Sequence, residues 1–281
     1  MSGVHPGGAT RSFGVIGWPV EHSLSPAIHT AAISAMGLHA VYLPLPVAPG
    51  MLADALAGLA ALGFSGANVT MPHKTEAAAR MDACSPDAAR LGAVNTIVVG
   101  PAGLTGHNTD APGFERMLRY DEGFEPAGTT VLLFGAGGAA RACALALSRA
   151  GAARLIVAVR DPASATALAA AIEGFDTALE VIRMGEAAEY RADLIVNATP
   201  LGSGGEDLPT PALRPGMLVV DLLYQPALTP LMARSRAAGA TATGGLGLLL
   251  HQAALAFELW TGQVPPIDVM SAAALAAIAE R

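Results

Sequence analysis

Four polar clusters stand out from an otherwise apolar chain, and their residue types suit recognition of a small hydroxylated molecule. They are the segments HSLSP at 22–26, NVTMPHK at 68–74, AVNT at 93–96 and GHNTD at 106–110. Together they supply hydroxyls, amides, one ammonium group and one carboxylate, which fit a polyhydroxylated ligand better than a lipid or a phosphate. We place each cluster at the carboxyl end of a predicted strand, where open α/β sheets bind ligands.

Each cluster also has a purely structural explanation. Ser23 or Ser25 could cap the helix that follows them, and Thr70 could cap the next helix. Asp110 is favoured at any helix start. Lys74 could be a solvated residue in a first turn, although the helix dipole disfavours a cation there. The joint occurrence of all four clusters beside strand ends favours a binding site.

A glycine turn later in the chain predicts a nucleotide site. Residues 131–146 read VLLFGAGGAARACALA, so an apolar strand runs directly into Gly135, Gly137 and Gly138, and a helical pattern follows. The first glycine permits the tight turn, and the second lets backbone N–H groups approach a pyrophosphate at the helix N-terminus. Ala140 takes the third position of the motif, where a small residue lets the helix pack close to the strand.

Composition argues against several other classes of function. The formal net charge of −7 argues against nucleic acid as a partner, because phosphate backbones require a basic surface. Cys84 and Cys143 are too few for a disulfide framework or a metal cluster, and we expect both to be small buried residues. The seven histidines lack close ligand spacing, so we expect no structural metal.

No segment predicts insertion into a membrane. Residues 26–53 carry no charge, but histidines, glycine and prolines interrupt them, which argues against a span. The first twelve residues, MSGVHPGGATRS, lack an apolar core of signal-peptide length, so we expect a loose leader. We therefore expect a soluble, cytoplasmic protein without membrane contacts.

Strand and helix patterns alternate along the chain and predict an α/β fold. In the first half we predict strands at 13–16, 41–45, 67–70, 96–99 and 103–105, and helices at 26–36, 51–62, from 72 onward and at 109–119. After the glycine turn, strands at 155–159, 179–182, 194–197 and 217–221 alternate with helices at 164–172 and 229–238. Final helices follow at 246–260 and 269–278. The crossover connections after the glycine turn imply a doubly wound parallel sheet.

These patterns divide the chain into two domains. We assign residues 1–107 to an N-terminal α/β domain that binds substrate and is completed by the C-terminal helices over 248–281. We assign residues 108–247 to a Rossmann domain that binds a dinucleotide.

The chain resembles the shikimate/quinate dehydrogenase family over roughly residues 12–265. The motifs that carry the resemblance are HSLSP at 22–26, NVTMPHK at 68–74, AVNT at 93–96, NTD at 108–110, GAGGAA at 135–140, NATPLG at 197–202, DLLYQPALTP at 221–230, and GLGLLLHQA with FELWTG within 245–262. Eight motifs in order and at compatible spacing are far more specific than any one of them.

The resemblance implies hydride transfer between a nicotinamide cofactor and a ring carbon that bears a hydroxyl in shikimate and a ketone in 3-dehydroshikimate. It implies a proton-handling pair, Lys74 and Asp110, because a proton must move on or off the oxygen with the hydride. We assign proton transfer to Lys74 and an orienting role to Asp110, and the residues leave the reverse assignment open. The substrate-binding residues that it implies are Ser23, Ser25 and Tyr224 at the carboxylate, and Thr70, Asn95 and Gln252 at the ring hydroxyls.

The choice between NAD and NADP depends on the residues after the second strand of the Rossmann domain. NADP-using members typically have an Asn-Arg-Thr cluster and another basic residue there, whereas this chain retains only Arg160 and has Ser164 at the second basic position. Asp161 favours a free ribose 2′-hydroxyl and repels a 2′-phosphate, whereas Arg160 attracts the phosphate. The balance slightly favours NAD, and a helix cap is the alternative role of Asp161. The cofactor contacts that the resemblance implies are Gly135, Ala136, Gly137, Gly138, Ala139, Arg160, Asp161, Thr199, Leu222 and Gly245.

Alternatives to this interpretation stay open. Quinate or aminoshikimate could be the substrate, although the two-serine HSLSP motif favours shikimate. A non-catalytic sensor could bind the same ligands, although the retained Lys74 and Asp110 argue against one. The resemblance also implies a place in aromatic amino acid biosynthesis through chorismate, while a catabolic role stays open, as does the choice between a monomer and a homodimer.

Overall fold

The computed structural model describes residues 7–280, and these form two compact units. The first unit contains residues 7–109 and 250–280, and the second contains residues 110–249. Of the predicted leader, residues 1–6 lie outside the described part of the chain. Its last two residues, Arg11 and Ser12, begin the first strand, so the prediction of a leader is wrong at these two positions.

The first unit is built on a six-stranded mixed sheet. Its elements are β1 (Arg11–Gly17), α1 (Ser25–Ala35), β2 (Ala40–Pro46), α2 (Leu52–Ala61), β3 (Gly66–Val69), α3 (Lys74–Ala78), β4 (Ala83–Cys84), α4 (Pro86–Leu91), β5 (Thr96–Gly100) and β6 (Gly103–His107). The strand order is β2-β1-β3-β5-β6-β4. β1 is parallel to β2 and β3, whereas β5 is antiparallel to both β3 and β6. The sequence patterns predict neither β4 nor α4, because elements this short carry no periodic signal.

Apolar spacing explains how α2 packs on this sheet. Leu52, Leu56 and Leu59 recur at intervals of four and three residues and form the buried face of the helix. They belong to one apolar cluster with Ile16 of β1 and Ile97 of β5. These contacts pack α2 against β1 and β5. The HSLSP cluster follows β1, and the AVNT cluster leads into β5.

The second unit is built on a six-stranded sheet that is parallel throughout. Its elements are α5 (Asp110–Arg116), β7 (Thr130–Phe134), α6 (Gly138–Arg149), β8 (Arg154–Val159), α7 (Thr166–Ala171), β9 (Ala178–Arg183), β10 (Leu194–Asn197), β11 (Leu218–Asp221), α8 (Pro230–Ala237) and β12 (Thr241–Gly244). The strand order is β12-β11-β10-β7-β8-β9. Every residue of β10 is buried, as expected for a central strand of such a sheet. The prediction of a doubly wound parallel sheet is confirmed.

Two helices complete the chain, α9 (Leu246–Thr261) and α10 (Ile267–Ala279). In the first unit, Trp260 of α9 donates its indole N–H to the carbonyl of Ile97 at 2.9 Å, and α10 packs on α1. The helix predicted at 109–119 is α-helical only to Arg116 and continues as a π-helical turn to Asp121. Within residues 7–280, no helix has both the length and the apolar character needed to cross a membrane.

A buried histidine stacks against aromatic rings in the first unit. His29 of α1 lies 4.3 Å from Tyr42 of β2, centroid to centroid, with the two rings 10° from parallel, and 5.4 Å from the ring of Trp260. Neither ring nitrogen of His29 has a hydrogen-bond partner among the described residues. Burial lowers the pKa of His29 to about 3, so the imidazole is neutral in the folded protein at neutral pH.

Because His29 is buried in its neutral form, the free energy of unfolding falls as the pH is lowered. In the unfolded chain His29 takes up a proton near its ordinary pKa of 6.5, whereas the folded protein binds that proton only near pH 3. The contribution to stability is therefore complete above pH 6.5 and is lost progressively as the pH falls towards 3. A pKa difference changes the free energy of unfolding by about 1.4 kcal/mol per pH unit in this window, hence by about 2 kcal/mol between pH 6.5 and 5.

Urea titrations of the wild-type protein and of His29→Leu at pH 7 and pH 5 measure this effect. We expect the variant to lose about 2 kcal/mol less stability than the wild type between the two pH values. Burial also lowers the pKa of His107, but this group is present in both proteins and its contribution cancels in the comparison. Equal losses in the two proteins would contradict the assignment.

Candidate active site

The polar clusters of the first unit meet at one edge of its sheet. Residues 22–26 and 108–109 follow the carboxyl ends of β1 and β6, and residues 70–74 follow the carboxyl end of β3. The prediction of a carboxyl end is wrong for AVNT at 93–96, which leads into the amino end of β5. Because β5 runs antiparallel to β3 and β6, its amino end lies beside their carboxyl ends, with Thr96 opposite Asn68 and His107.

Asn95 is the centre of a buried hydrogen-bond network at this edge. Its side-chain amide nitrogen donates to the Thr109 hydroxyl at 2.9 Å and lies 3.4 Å from Gln252 Oε1. Its oxygen Oδ1 accepts from the backbone N–H of Thr109 at 2.8 Å and from the Thr96 hydroxyl at 3.1 Å. The structure thus brings together two of the residues predicted to bind ring hydroxyls, Asn95 and Gln252, although they lie on different elements.

Thr70 begins the loop that follows β3, and Lys74 is the residue at which this loop enters α3. The backbone N–H of Thr70 donates to the carbonyl of Ile16 at 2.8 Å, and a Cβ on Gly17 would overlap the Thr70 methyl group. Lys74 is half-buried as the first residue of α3, and its carbonyl accepts from the Val94 N–H at 2.9 Å. No side chain caps α3, so capping does not explain Thr70.

Lys74 is the only lysine in the 281-residue chain. The prediction from motifs did not use this observation, although it can be made from the sequence alone. A single ammonium side chain in a chain with many arginines supports a specific chemical role, because arginine keeps its proton in proteins whereas lysine can exchange one.

The two serines of HSLSP differ in their local roles. The Ser23 hydroxyl accepts from the backbone N–H of Ser25 at 3.2 Å, which stabilises the turn before α1. Ser25 is the first residue of α1 and is buried, and no side chain caps this helix. Helix capping therefore does not account for the Ser25 hydroxyl.

In the second unit, the glycine turn joins β7 to α6. Gly135 has φ +103°, a conformation that favours glycine, and a Cβ there would lie 3.1 Å from the Thr199 methyl carbon. Gly137 is the residue before α6, and no heavy atom counted around it within the described chain lies within 4 Å of an added Cβ. The turn thus leaves open space at the N-terminus of a twelve-residue helix, where backbone N–H groups can bind a pyrophosphate.

Two polar residues that the prediction missed hold the loops after β10 and β11. The Asp221 carboxylate accepts from the Thr229 hydroxyl at 2.7 Å, the Asn197 amide at 3.0 Å and the Leu223 N–H at 3.2 Å. Burial raises the pKa of Asp221, and these three hydrogen bonds oppose the rise. Asn197 and Asp221 are the last residues of the buried strands β10 and β11. A polar residue at the end of an apolar strand is the sequence signal that could have identified them.

Four further predicted contacts lie in this unit, three of them on the loops after β10 and β11 and one, Gly245, after β12. The Thr199 hydroxyl donates to Asn197 Oδ1 at 2.7 Å. Tyr224 is half-buried on the loop whose start is held by Asp221. Leu222 and Gly245 are neighbours, since a Cβ on Gly245 would overlap the carbonyl oxygen of Leu222.

Arg160 and Asp161 follow β8, and both are exposed. The Asp161 carboxylate accepts from the Ala163 N–H at 3.1 Å, which is the capping interaction considered as its structural role. Its exposure leaves the remaining oxygen atoms accessible. Asp110, the other predicted catalytic residue, is buried at the start of α5.

Comparison with known proteins gives the family. Residues 15–97 match the family model described as "Shikimate dehydrogenase substrate binding domain", and residues 245–275 match "Shikimate 5'-dehydrogenase C-terminal domain". A relative from Citrifermentans bemidjiense, named shikimate dehydrogenase (NADP(+)), is 44% identical over 277 residues, which cover 95% of each chain. The chain belongs to the shikimate dehydrogenase family.

Two solved structures of this family extend the comparison to three dimensions. Shikimate 5-dehydrogenase from Thermus thermophilus, in complex with NADP(H) and shikimate, is 38% identical, has a TM-score of 0.86, and is matched over 95% of this chain and 100% of its own. The Listeria monocytogenes enzyme, in complex with shikimate and NAD, is 34% identical, has a TM-score of 0.89, and is matched over 94% and 96%. The predicted family and fold class are confirmed. A nicotinamide dinucleotide is supported, but the slight preference for NAD is not.

Proposed function

We propose that this protein is an NAD(P)-dependent dehydrogenase that interconverts shikimate and 3-dehydroshikimate. The observation that carries the proposal is the match, over 95% of this chain, to a dehydrogenase solved with NADP(H) and shikimate. The buried network around Asn95 supports it, because a ligand with several hydroxyls needs such fixed donors and acceptors.

Six residues bind the substrate in this proposal. Thr70, Asn95 and Gln252 hydrogen-bond the ring hydroxyls. Ser23, Ser25 and the hydroxyl of Tyr224 bind the carboxylate. Uncharged donors of this kind can orient a carboxylate without requiring a buried cation.

Lys74 moves the proton in this proposal, and Asp110 orients it. When shikimate is oxidised, the hydroxyl gives its proton to the uncharged amine form of Lys74, which becomes an ammonium group, as the carbon gives up a hydride. In the reverse direction this ammonium group returns the proton to the oxygen of the ketone. The carboxylate of Asp110 orients the side chain of Lys74.

The glycine turn and the loops of the second unit fit a nicotinamide dinucleotide. The bound cofactor supplies or accepts the hydride. Gly135 to Ala139 bind its pyrophosphate through backbone N–H groups, since the space at Gly137 is open. Arg160 and Asp161 contact the adenosine ribose, and Leu222 and Gly245 form contacts of the nicotinamide end. Thr199 is a further cofactor contact.

Initial rates with shikimate and with quinate, each with NAD and with NADP, test this function. We expect shikimate to be oxidised with the higher kcat/KM. Faster oxidation of quinate would favour the alternative substrate, and binding of the ligands without turnover would favour the non-catalytic sensor. A cytoplasmic location and a monomeric or homodimeric state stay predictions.

Asp161 favours a ribose with a free 2′-hydroxyl, whereas Arg160 favours one with a 2′-phosphate. One substitution separates the effect of the Asp161 charge on the ribose from its capping role. We expect Asp161→Asn to raise the ratio of kcat/KM with NADP to kcat/KM with NAD by about tenfold at low ionic strength, because it removes a charge that repels the 2′-phosphate. Asparagine retains the ability to cap the segment that follows.

Exposed Asp176, which precedes β9 at the amino edge of the same sheet, provides the matched control as Asp176→Asn. This variant should leave the cofactor ratio unchanged. An unchanged ratio in Asp161→Asn as well would mean that Asp161 acts only as a cap.

A further inference from the structure

Tyr42 occupies a buried position behind the substrate-binding edge of the first unit. The residue is 5% exposed, and its ring stacks on His29 and lies 6.2 Å from the ring of Trp260, centroid to centroid. Its hydroxyl donates to Asn68 Oδ1 at 2.6 Å. Burial raises the pKa of Tyr42 well above its usual value. The phenol therefore remains a protonated donor.

From Asn68, hydrogen bonds of defined direction lead to Asn95. Because Asn68 Oδ1 accepts from Tyr42, its amide nitrogen is the donor, and it donates to the Thr96 hydroxyl at 3.1 Å and to the Asn95 carbonyl at 3.2 Å. The Thr96 hydroxyl in turn donates to Asn95 Oδ1 at 3.1 Å. This order leaves the amide nitrogen of Asn95 as the group that donates towards Gln252.

We propose that Tyr42 is a positioning residue for substrate binding, which aligns the Asn68–Thr96–Asn95 relay. The inference rests on the proposed function, in which Asn95 binds a ring hydroxyl. One phenol thus fixes the donor order that ends at the amide of Asn95. A fixed donor order keeps each amide from turning over and presenting the wrong atom to the ligand.

Loss of the Tyr42 hydroxyl acts on the first member of this relay. In Tyr42→Phe, Asn68 Oδ1 loses a donor in a buried place, so its amide can turn and release the Thr96 hydroxyl. The ring stack with His29 remains, because phenylalanine retains the same ring.

The test is calorimetric titration of shikimate into wild-type protein and into Tyr42→Phe, together with kcat and KM at saturating cofactor. We expect the Kd for shikimate to rise about three- to tenfold, as loss of one ordered hydrogen bond implies. We expect kcat to change less than twofold and the Kd for the nucleotide to stay constant, because Tyr42 acts only through substrate-binding groups.

Tyr190→Phe is the matched control. The Tyr190 hydroxyl donates to Glu180 Oε1 at 2.7 Å in the second unit, so this variant also loses one phenol hydrogen bond. It should leave the Kd for shikimate unchanged. Thr96→Val breaks the same relay at a different residue and should raise the Kd as well, and its effect should combine with that of Tyr42→Phe less than additively.

The outcomes distinguish the inference from the function on which it rests. Wild-type binding of shikimate with an unchanged Kd in both Tyr42→Phe and Thr96→Val overturns the inference alone. If Tyr42→Phe does not fold, Thr96→Val decides the result by itself. A folded wild-type protein that binds no shikimate overturns the proposed function and the inference together.

Discussion

Replacement of Lys74 by Met is expected to lower kcat for shikimate oxidation by about 1,000-fold, the range in which loss of a general acid–base group falls. Methionine has a similar length but cannot accept the hydroxyl proton. Lys74 is the only lysine in the chain, so no second ammonium side chain can replace it. The variant should still bind the nucleotide with the wild-type Kd, because the glycine turn is untouched.

Two further variants separate proton transfer from charge and from local structure. Lys74→Arg retains a cation that does not give up its proton, so it should remain nearly as inactive as the methionine variant. Arg80→Met removes an exposed cation just beyond α3 that pairs with Glu76 at 2.9 Å, and it should retain wild-type kcat. A kcat for Lys74→Met within tenfold of the wild type would contradict the assigned role.

Replacement of Gly137 by Val is expected to weaken nucleotide binding by about 100-fold while the protein stays folded. The residue has φ −69° and ψ −173°, which any amino acid can adopt, and the structure leaves open space around an added Cβ. The side chain would occupy the space that the pyrophosphate requires and would separate it from backbone N–H groups. Loss of two such charge-assisted hydrogen bonds accounts for a factor of about 100.

Nucleotide titration and urea unfolding of the same samples test this prediction. Gly58→Val, on α2 of the first unit, is the matched control, because an added Cβ there also meets no heavy atom within 4 Å. It should leave both the nucleotide Kd and the stability close to wild type. Nucleotide binding by Gly137→Val at wild-type strength would mean that the turn does not hold the pyrophosphate.

Local patterns in the sequence were sufficient for the Rossmann unit. The apolar run that becomes β7, the glycines after it and the periodic face of α6 are all contained in sixteen consecutive residues. Gly135 shows the required positive φ, and the parallel order of the sheet follows from crossover connections. The strand, the turn and the helix each depend on contacts between residues close in sequence.

Features set by distant contacts escaped prediction. AVNT at 93–96 leads into a strand, and only the antiparallel pairing of β5 brings it to the same edge as Thr70. The hydrogen bond between Tyr42 and Asn68 joins two strands that are 26 residues apart in sequence. Neither residue type predicts that the two side chains meet. From the sequence, Asp161 could either contact a ribose or cap the segment that follows. The capping role could be assigned only from the position of the Ala163 N–H in the structure.

Shikimate that carries deuterium at the reacting ring carbon shows whether the hydride passes directly from substrate to cofactor. The wild-type protein is incubated with this substrate and with NAD or NADP, and the reduced nucleotide is examined by mass spectrometry. We expect one deuterium in each reduced nucleotide from the wild type, and almost no reduced nucleotide from Lys74→Met. Folded wild-type protein that binds nucleotide and forms no reduced product, or product without deuterium, would contradict direct hydride transfer from shikimate.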